Sequence, residues 1–493
     1  MRLKAVFIGF WVLFGLFLRP DASYAQISDG YIDLRTHDFT KDNYTLKGQW
    51  EFYRKALLSP EEIAEGLHSE KKEYFSVPGL WEDMQKDPFQ NGMGYGTYRI
   101  RFKANSAIPL LSINFNKVQN AYKLWINDSL YAEAGQVGES RNEMQPKWYS
   151  RNYAFRNQQP ENEIVLQVSN FYHKKGGLEH SPYIGLPDKI EKSSWTTLGF
   201  DHFIMGLLLI MAIYHSGLFL LKRNEWVVLL FGLLTLSSVL FTLTVGEIAI
   251  SYFIPDFSWE FLVKINYISN YARALFFGVF IGFLFPTKFR YKTMYWAAGF
   301  AFIMVLFILF TPARIYSHTL VIFLAYVVLV VMFFVGVTVD AVIKKKQGAW
   351  YSLLGTAVLF VAIINDVVKE LFLINTPSTT TYGLFVFVLL QADMLAYRST
   401  ASFKELSKLT KRLLVLTKIK DELLANNSLE PHRPLQVIAR NINAGHALAV
   451  IKQQDEWRVV AEYFNGKTLV QKQNNVLDFE NKTNYLVDYD LIE

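Results

Sequence analysis

Seven long apolar segments occupy the second half of the chain, and they constrain its fold more than any other feature. Each contains about 17 to 27 residues, the length that a helix needs to cross a hydrocarbon core of about 30 Å. A soluble domain does not pack seven such stretches with connections this short. The sequence therefore predicts a seven-helix transmembrane bundle, with segments at 198–221, 226–246, 259–285, 293–311, 317–342, 349–373 and 381–397.

Basic residues between these segments predict the orientation of the bundle. The loops after the first, third and fifth segments contain eight of them, whereas the intervening loops contain only Arg314. Because cytoplasmic loops carry an excess of lysine and arginine, we expect a multi-pass protein of the inner (cytoplasmic) membrane with its N-terminal domain outside and its C-terminus in the cytoplasm. The eight residues are Lys222, Arg223, Lys288, Arg290, Lys292, Lys344, Lys345 and Lys346.

The N-terminus has the three parts of a secretory signal. Met1–Lys4 is basic, Ala5–Leu18 is apolar, and the small residues Ser23 and Ala25 follow. This pattern predicts a signal peptide that is cleaved after Ala25. The alternative is an uncleaved anchor helix, but fourteen apolar residues extend only about 21 Å at 1.5 Å per residue.

Composition excludes several classes of site. The chain has no cysteine, so it contains no disulfide, thiolate metal site, iron–sulfur cluster or cysteine nucleophile. Only 19% of residues are charged, against about a quarter in globular proteins, which argues against disorder and against a protein that coats nucleic acid. We therefore expect no metal, no cofactor and no nucleic-acid partner.

Residues 26–195 alternate apolar and polar positions in short runs that are separated by turn-rich stretches. This pattern predicts an exported all-β sandwich. One short helix is predicted over 59–66, where Ser59 is the N-cap. The clearest predicted strands are Tyr98–Phe102, Leu110–Phe115, Ala121–Ile126 and Ile164–Val168.

Two motifs in this region resemble those of the galactose-binding-like jelly rolls. Val77–Trp81 followed by Gly94–Arg99 is similar to their "PGxW…GxGxYR" pattern, and 121–127 and 167–173 continue the likeness. The resemblance implies a jelly-roll-like sandwich that binds a carbohydrate-like ligand. Sugar sites use aromatic faces together with amide, histidine and acidic groups, although the same residues could equally belong to the core. The candidate ligand-binding residues are Trp81, Tyr95, Asn170, Tyr172 and His173.

Six polar residues fall at apparent membrane depth. Because charge inside a bilayer is costly, such residues face the bundle interior or pair with each other, and we expect Arg273 to pair with Asp366. A proton pathway would need repeated acids on facing helices, and a light-driven pump would need a lysine in 381–397, which has none. The six residues are Asn266, Asn270, Arg273, Asn365, Asp366 and Asp393.

The order of these parts resembles the bacterial seven-transmembrane receptors with diverse intracellular signalling modules. The likeness covers roughly residues 30 to 425. It implies a receptor that senses an extracellular ligand, often presumed carbohydrate-like, and passes a signal inward to a module that varies between members. The matching residues are Asn365-Asp366, Tyr382–Phe387, Gln391-Ala392, Ala396–Arg398 and Ala401–Phe403.

After Arg398 the leucines repeat at intervals of three, four, three and seven residues. This spacing predicts a short cytoplasmic coiled coil over 399–427 that joins two copies of the chain. The alternative is an amphipathic helix on the inner leaflet, held by its many lysines. The leucines are Leu406, Leu409, Leu413, Leu416 and Leu423.

The next segment, 420–435, resembles the phosphoacceptor box of histidine kinases, but Leu429 stands where the acceptor histidine would be. His432 is displaced and lies between two prolines, so we expect no kinase activity and no other enzymatic activity. Residues 428–493 then predict a helix over 435–444 and a hairpin of His446–Lys452 with Trp457–Tyr463, which resembles the opening of a GAF-type sensory domain.

The sequence thus predicts a multidomain membrane receptor. Its expected partners are an extracellular small molecule or glycan, the bilayer, a second copy and a cytoplasmic signalling protein. Two alternatives remain: the N-terminal part of a membrane-bound histidine kinase or cyclase, or a transporter, which would need internal repeats and interrupted helices. The predicted domains are a signal peptide 1–25, a β-sandwich 26–195, a transmembrane domain 196–398, a signalling helix 399–427 and a partial α/β GAF-like module 428–493.

Overall fold

The computed structural model describes residues 26–83, 92–115, 118–148, 151–157, 159–245, 250, 254, 257–285, 290–371, 378–425, 446–453, 456–464, 467–471, 476–477 and 489–492. The signal peptide, the core of the kinase-like box and the helix predicted over 435–444 lie outside the described residues. The chain divides into two compact units, residues 1–394 and 395–493.

The first part of unit one is a β domain with fourteen described strands. The four clearest predicted strands are confirmed, and in the structure they lie within Gly94–Ala104, Leu110–Phe115, Ala121–Ile126 and Asn162–Asn170. The strands are β1 Tyr31–Leu34, β2 Tyr44–Thr45, β3 Gly48–Arg54, β4 Lys72–Val77, β5 Gly79–Leu80, β6 Gly94–Ala104, β7 Leu110–Phe115, β8 Val118–Gln119, β9 Ala121–Ile126, β10 Ser129–Ala134, β11 Arg151–Arg156, β12 Asn162–Asn170, β13 Gly177–Leu178 and β14 Tyr183–Gly185.

These strands form two main sheets and one small one. The largest has the order β10-β9-β12-β6-β3-β4, with β1 pairing parallel to β6; the second has the order β11-β7-β14-β2, and the third β5-β13-β8. One apolar core contains side chains from both main sheets, and Phe102 of β6 meets Phe155 of β11 edge-on at 6.2 Å between ring centroids. A core shared by two largely antiparallel sheets is sandwich packing, while jelly-roll connectivity stays a prediction.

A short helix, α1 (Pro60–Ala64), covers part of the other face of the large sheet. Its N-terminus has the capping box that the sequence predicts: the Glu62 amide donates to Ser59 Oγ at 3.3 Å, and the Ser59 amide donates to the Glu62 carboxylate at 2.8 Å. Ile63 of this helix packs in a small second core that includes Val165 and the partly buried Trp125.

A buried carboxylate organises the outer face of the same sheet. Glu51 on β3 is fully buried, and its oxygens lie 2.9 Å from Lys72 Nζ, 3.2 Å from Arg99 and 3.5 Å from Arg101. Burial opposes ionisation of Glu51, but the hydrogen bond from Lys72 and the charges of both arginines outweigh it and lower its pKa. The ionised form therefore stabilises the folded domain.

We expect Glu51→Gln to lower the free energy of unfolding by about 3 kcal/mol at pH 7, because it leaves three cations around a neutral amide. The pKa of Glu51 is lower in the folded than in the unfolded chain. Its stabilisation is therefore complete above the unfolded value of about 4.3 and is lost as pH falls through the folded value, so the deficit should shrink in acid. Unfolding of the purified full chain, followed by tryptophan fluorescence at several pH values, measures both effects.

Glu133→Gln is the matched control for this experiment. Glu133 pairs with Lys123 at 2.7 Å at a solvent-exposed site, so its loss should cost less than about 1 kcal/mol at any pH. Equal losses in the two variants would contradict the central role of Glu51.

The membrane part of unit one is helical, and the predicted apolar segments are confirmed as helices. Within the described residues, six helices are long and apolar enough to cross a bilayer, and a seventh apolar helix, α3, has 17 residues. The chain is therefore a multi-pass membrane protein. The helices are α2 Pro187–Leu221, α3 Trp226–Thr242, α4 Trp259–Leu284, α5 Arg290–Phe310, the short α6 Ala313–Tyr316, α7 Leu320–Ile343, α8 Ala349–Glu370 and α9 Thr380–Ala425.

Helix α4 is the central helix of this bundle. In its most apolar stretch 56% of the residues are buried, against 17% in the corresponding stretch of α5. Large apolar side chains such as Ile210, Phe310 and Ile343 are exposed on the outside of the bundle, as a lipid-facing surface requires. Polar residues on the interior face of α4 are consequently directed at neighbouring helices rather than at lipid.

Unit two contains the end of α9 and a separate sheet. The sheet is antiparallel, with the order β15-β16-β17-β19 and β18 pairing with β16. The predicted hairpin is confirmed as β15 and β16, while the GAF-like assignment and the coiled coil stay predictions. The strands are β15 His446–Gln453, β16 Glu456–Phe464, β17 Lys467–Gln471, β18 Val476–Leu477 and β19 Tyr489–Ile492.

Candidate functional site at the junction of the β domain and the membrane helices

A cavity of about 530 Å³ lies where loops of the β domain meet the membrane helices. Six helices contribute to its wall, α2, α3, α4, α7, α8 and α9, and the β domain contributes residues that include His173 and Lys175. This volume is within the range of about 300–1,000 Å³ that is typical of small-molecule sites. The junction is therefore the candidate functional site.

The β-domain side of the cavity is held in shape by Asn170, the last residue of β12. Its buried side-chain amide lies 2.7 Å from the carbonyls of Gly92 and His173 and 3.0 Å from that of Lys175. Its Oδ1 accepts from Asn120 Nδ2 at 2.6 Å and from the His173 amide at 3.1 Å. Asn170 thus fixes the backbone of the docking loop, residues 171–176, and its polar atoms are occupied within the protein.

His173 inserts from the docking loop between aromatic side chains of both domains. Its Nδ1 accepts from the Lys175 amide at 3.1 Å, so the neutral ring carries its proton on Nε2, which lies 3.3 Å from the Tyr267 hydroxyl of α4. Its ring centroid is 6.4 Å from that of Trp148 and 6.5 Å from that of Trp259. The histidine therefore joins the β domain to α4 by a hydrogen bond and by ring packing.

Two further contacts dock the same loop on the helices. The Tyr172 ring meets Trp259 edge-on at 6.2 Å, and its hydroxyl donates to the Arg141 carbonyl at 3.1 Å. The Lys174 amide donates to Ser317 Oγ at 3.0 Å, in the turn that precedes α7. The loop is thus attached to two separate parts of the bundle.

A buried ion bridge completes the junction; we call Lys175, Glu179 and Glu370 the Lys175 bridge. Lys175 Nζ lies 2.6 Å from Glu179 and also pairs with Glu370, the last residue of α8. Glu179 in turn accepts from Gln119 Nε2 at 3.1 Å. Burial disfavours the charge on Lys175, but the two carboxylates outweigh it and raise its pKa above the ordinary lysine value. The lysine therefore stays charged and connects the β domain to α8.

Asp366, one turn before Glu370 on α8, caps the beginning of α9. Its Oδ1 accepts from the Thr379 amide at 2.6 Å, and its Oδ2 accepts from the Thr380 amide at 2.9 Å. Asn365 Nδ2 donates to the same carboxylate at 3.0 Å. A carboxylate at a helix N-terminus satisfies free amides and complements the helix dipole. One turn of α8 therefore contacts both the β domain and the start of α9.

The polar face predicted on α4 is present. Asn266 Nδ2 donates to Thr244 Oγ1 at 3.0 Å, Asn270 Nδ2 donates to the Asn266 carbonyl at 3.1 Å, and Arg273 donates to Asn270 Oδ1 at 2.6 Å. The Arg273 guanidinium also lies 3.9 Å from the ring centroid of Phe241. Together these contacts form a chain of polar groups along one face of the helix.

The expected pair of Arg273 with Asp366 is not formed. Both residues line the cavity, but among the described residues no carboxylate oxygen lies within 4.0 Å of the Arg273 guanidinium. The physical reason is that Asp366 is already bonded to backbone amides at the start of α9. Asp393, also predicted at membrane depth, lies on an exposed face of α9 rather than in the bundle interior.

The structure places the five candidate sugar-binding residues in different parts of the protein rather than at one site. Trp81 is fully buried in the β core and donates to the Tyr98 hydroxyl at 2.7 Å, so it is a core residue and its ring is not accessible to a ligand. Asn170 is likewise buried and organises the docking loop. Tyr95 lies on β6, with its hydroxyl 3.4 Å from Glu139. Tyr172 and His173 are at the junction, and His173 lines the cavity.

Sequence reasoning missed the Lys175 bridge. Lys175 precedes two glycines, a context typical of a solvated turn, and Glu370 is at the end of an apolar segment, where a charge is ordinary. The available signal was the nearby Glu179, four residues after Lys175, but only the fold brings Glu370 to them.

We expect the Lys175 bridge to show a large coupling in a double-mutant cycle. Lys175→Met removes the buried cation that two partly buried carboxylates share and should cost about 3 kcal/mol of stability. Adding Glu370→Gln should then cost less than it does alone, because the shared interaction is already lost. Unfolding of the detergent-solubilised full chain measures each variant, with the exposed Lys41→Met as a control; additive losses would contradict the bridge.

Comparison with known proteins agrees with the membrane architecture. The family model described as 7TM diverse intracellular signalling matches residues 198–398. None of the curated proteins matches the chain.

Several solved enzymes share low similarity with part of the chain. A GH2 β-galacturonidase from Eisenbergiella tayi bound to galacturonate is 13% identical over 31% of this chain and 26% of the enzyme, with a TM-score of 0.21. A β-glucuronidase from an uncultured Clostridium sp. is 13% identical over 29% and 28%, and one from Ruminococcus gnavus is 16% identical over 29% and 28%, both with a TM-score of 0.22. The chain thus spans about a quarter of the length of these enzymes, and similarity at this level says nothing about its function.

The family match spans the helices α2 to α8 and the first part of α9, which the structure independently forms as an apolar helical bundle. Residues 198–398 are therefore similar to the seven-transmembrane domains that this family model describes.

Proposed function

We propose that this chain is a membrane sensor that binds a small molecule outside the cell and transmits a signal to the cytoplasm. The observation that carries this proposal is the cavity, because its wall combines a loop of the β domain with six helices of the signalling-family domain. A molecule bound there contacts both domains at once. Such a site suits a receptor better than a site on the β sheets alone.

The proposed orientation follows the distribution of basic residues. The β domain lies outside the inner membrane, and α9 extends into the cytoplasm, because the basic loops must remain inside. In this orientation the cavity lies at the extracellular end of the bundle, where the β domain meets the helices.

The proposed ligand is carbohydrate-like or a related small molecule. The motif resemblance of residues 77–99 to galactose-binding-like jelly rolls supports it. The site is placed in the cavity, since Trp81 and Asn170 are occupied in the β domain. The cavity wall contains the polar residues Gln119, His173 and Asn270 and the aromatic residue Trp148, which are residue types that sugar sites use, although each already has contacts within the protein.

The proposed coupling passes through α8 and α4. Glu370 and Asp366 are one turn apart on α8, so a ligand that alters the Lys175 bridge also acts on the residue that caps α9. On α4, Phe277 lines the cavity and packs against Phe387 of α9 at 5.3 Å between centroids. A ligand shifts the equilibrium only if it binds one arrangement of these contacts better than the other.

The proposed output is a change in a dimer of the cytoplasmic helix. In the single chain Leu406, Leu409, Leu413 and Leu416 are all exposed, so their stripe has no partner within the described residues of its own chain. A second copy would bury it as a coiled coil, which then presents the GAF-like module to a cytoplasmic partner. The alternative function is that of the sensory part of a signalling kinase or cyclase, and a continuous reading frame that encodes such a domain would favour it.

Topology is the first test. A reporter fused after Lys346 should be cytoplasmic, and one fused within 374–380 should be exported, because the loops differ in positive charge. Alkaline phosphatase and fluorescent-protein fusions measure each side. Reversal of either result would remove the proposed orientation and the direction of signalling.

Cysteine crosslinking tests the dimer and its coupling to the junction. In this cysteine-free chain, Leu406→Cys, Leu409→Cys and Leu413→Cys should crosslink between copies far more than Lys408→Cys and Lys411→Cys, which lie off the seam. Adding Lys175→Met should change the ratio among seam positions, whereas the exposed Lys41→Met should not. Absence of seam crosslinks would favour a membrane-surface helix, and an unchanged ratio would contradict coupling through the bridge.

A further inference from the structure

Arg273 is a charge inside the bundle that forms no ion pair with any of the described residues. It lies near the middle of α4 and lines the cavity. Its contacts are one hydrogen bond to Asn270 and the face of Phe241, and within the described residues no carboxylate lies within 4.0 Å. A guanidinium has five N–H donors, so most of its hydrogen-bonding capacity remains for a bound molecule.

The nearby acids are held by other partners. Glu179 and Glu370 pair with Lys175. Asp366 accepts from the amides of Thr379 and Thr380. None of these acids forms an ion pair with Arg273, although a charge at membrane depth ordinarily needs a partner.

Two other ionisable groups of the cavity wall bear on the sign of the charge that a ligand would carry. Lys369 is a further cation, and its Nζ donates to Ser378 Oγ at 3.1 Å. Asp201 on α2 is an acid for which the described residues offer no cation within 4.0 Å. An anionic group is therefore favoured at Arg273 by the absence of an ion pair there and not by the net charge of the wall, and Asp201 marks the position that a cationic ligand would use.

The size and lining of the cavity limit the chemical class of the ligand further. The wall also contains apolar residues, among them Phe277, Val331 and Leu359, so the anionic group must belong to a molecule with a body that packs against them. One guanidinium with a neighbouring amide matches a single negative charge.

We propose that the cavity binds a small organic carboxylate, with Arg273 forming the ion pair to the carboxylate group. Arginine is suited to this role because its planar fork matches a carboxylate with two parallel hydrogen bonds. Asn270 is a positioning residue that orients the guanidinium, and the apolar floor takes the rest of the molecule. This inference rests on the proposed sensor function and adds the chemical class of its ligand.

The test is direct binding to the purified full chain in nanodiscs. Two matched pairs of probes are used, glucuronate with glucose and octanoate with octanol, and calorimetric titration measures each affinity. We expect at least one carboxylate to bind at least tenfold more tightly than its neutral counterpart. Preferential binding of glucuronate would indicate a sugar acid as the ligand, and preferential binding of octanoate would indicate an aliphatic acid.

Variants identify the residue responsible. Arg273→Gln should weaken binding of the carboxylate at least tenfold, about 1.4 kcal/mol, while Arg314→Gln, an exposed arginine outside the cavity, should leave it unchanged. Arg273→Lys keeps the charge without the fork and should give an intermediate loss. If Arg273→Gln fails to fold, the wild-type preference for acid over neutral probe and the lysine variant still decide the question.

Three results would overturn the proposal. They are equal affinity for the acid and its neutral counterpart, no binding of either carboxylate at up to about 10 mM, and unchanged affinity in Arg273→Gln. Equal binding of the acid and the neutral member in both pairs would overturn the carboxylate class while leaving the sensor function in place. The sensor function fails separately, when changes at the Lys175 bridge leave the cytoplasmic crosslinks unaltered.

Discussion

The position of the β domain on the membrane bundle depends on one buried cation between two carboxylates. Lys175 is almost removed from solvent, with 10% of its side chain exposed, and it is stable there only because Glu179 and Glu370 both face it. A buried pair contributes little net stability, since desolvation offsets most of the attraction, but separating its partners is costly. The bridge therefore specifies geometry: the docking loop has one low-energy position relative to the end of α8.

That geometry reaches α9 because consecutive turns of a helix move together. Residues four apart lie on one helical face, so Glu370 and Asp366 are carried by the same rigid turn of α8. Asp366 in turn holds the first amides of α9. Small displacements become discrete changes when packed interfaces have two arrangements rather than a continuum. A junction built from an ion bridge, a helix cap and edge-on aromatic rings has this character, because each contact is either made or broken.

Local patterns predicted the elements, and three-dimensional contacts decided the site. The strands Leu110–Phe115 and Ala121–Ile126 agree with the structure to the residue, because alternation and turn residues are local signals. The pairing of Arg273 with Asp366 was wrong, because the actual partners of the acid are backbone amides at 379 and 380, which no side-chain pattern reveals. Trp81 was misassigned for a similar reason: an aromatic residue in a binding motif and one in a core look alike in sequence.

The role of Arg273 follows from comparing the free energy that its buried charge costs with the free energy that an apolar residue at the same position would gain. An apolar residue in its place on α4 would remove the need to desolvate a charge and would extend the apolar floor toward Phe277. Instead, a chain of amides from Asn266 through Asn270 orients the guanidinium, and Phe241 covers one of its faces. These contacts fix the direction of the Arg273 guanidinium, but none of them is with a negatively charged group. A cation that is oriented but has no ion-pair partner among the described residues, at the wall of a cavity shared by two domains, has the arrangement of a binding group whose counter-ion arrives from outside the protein.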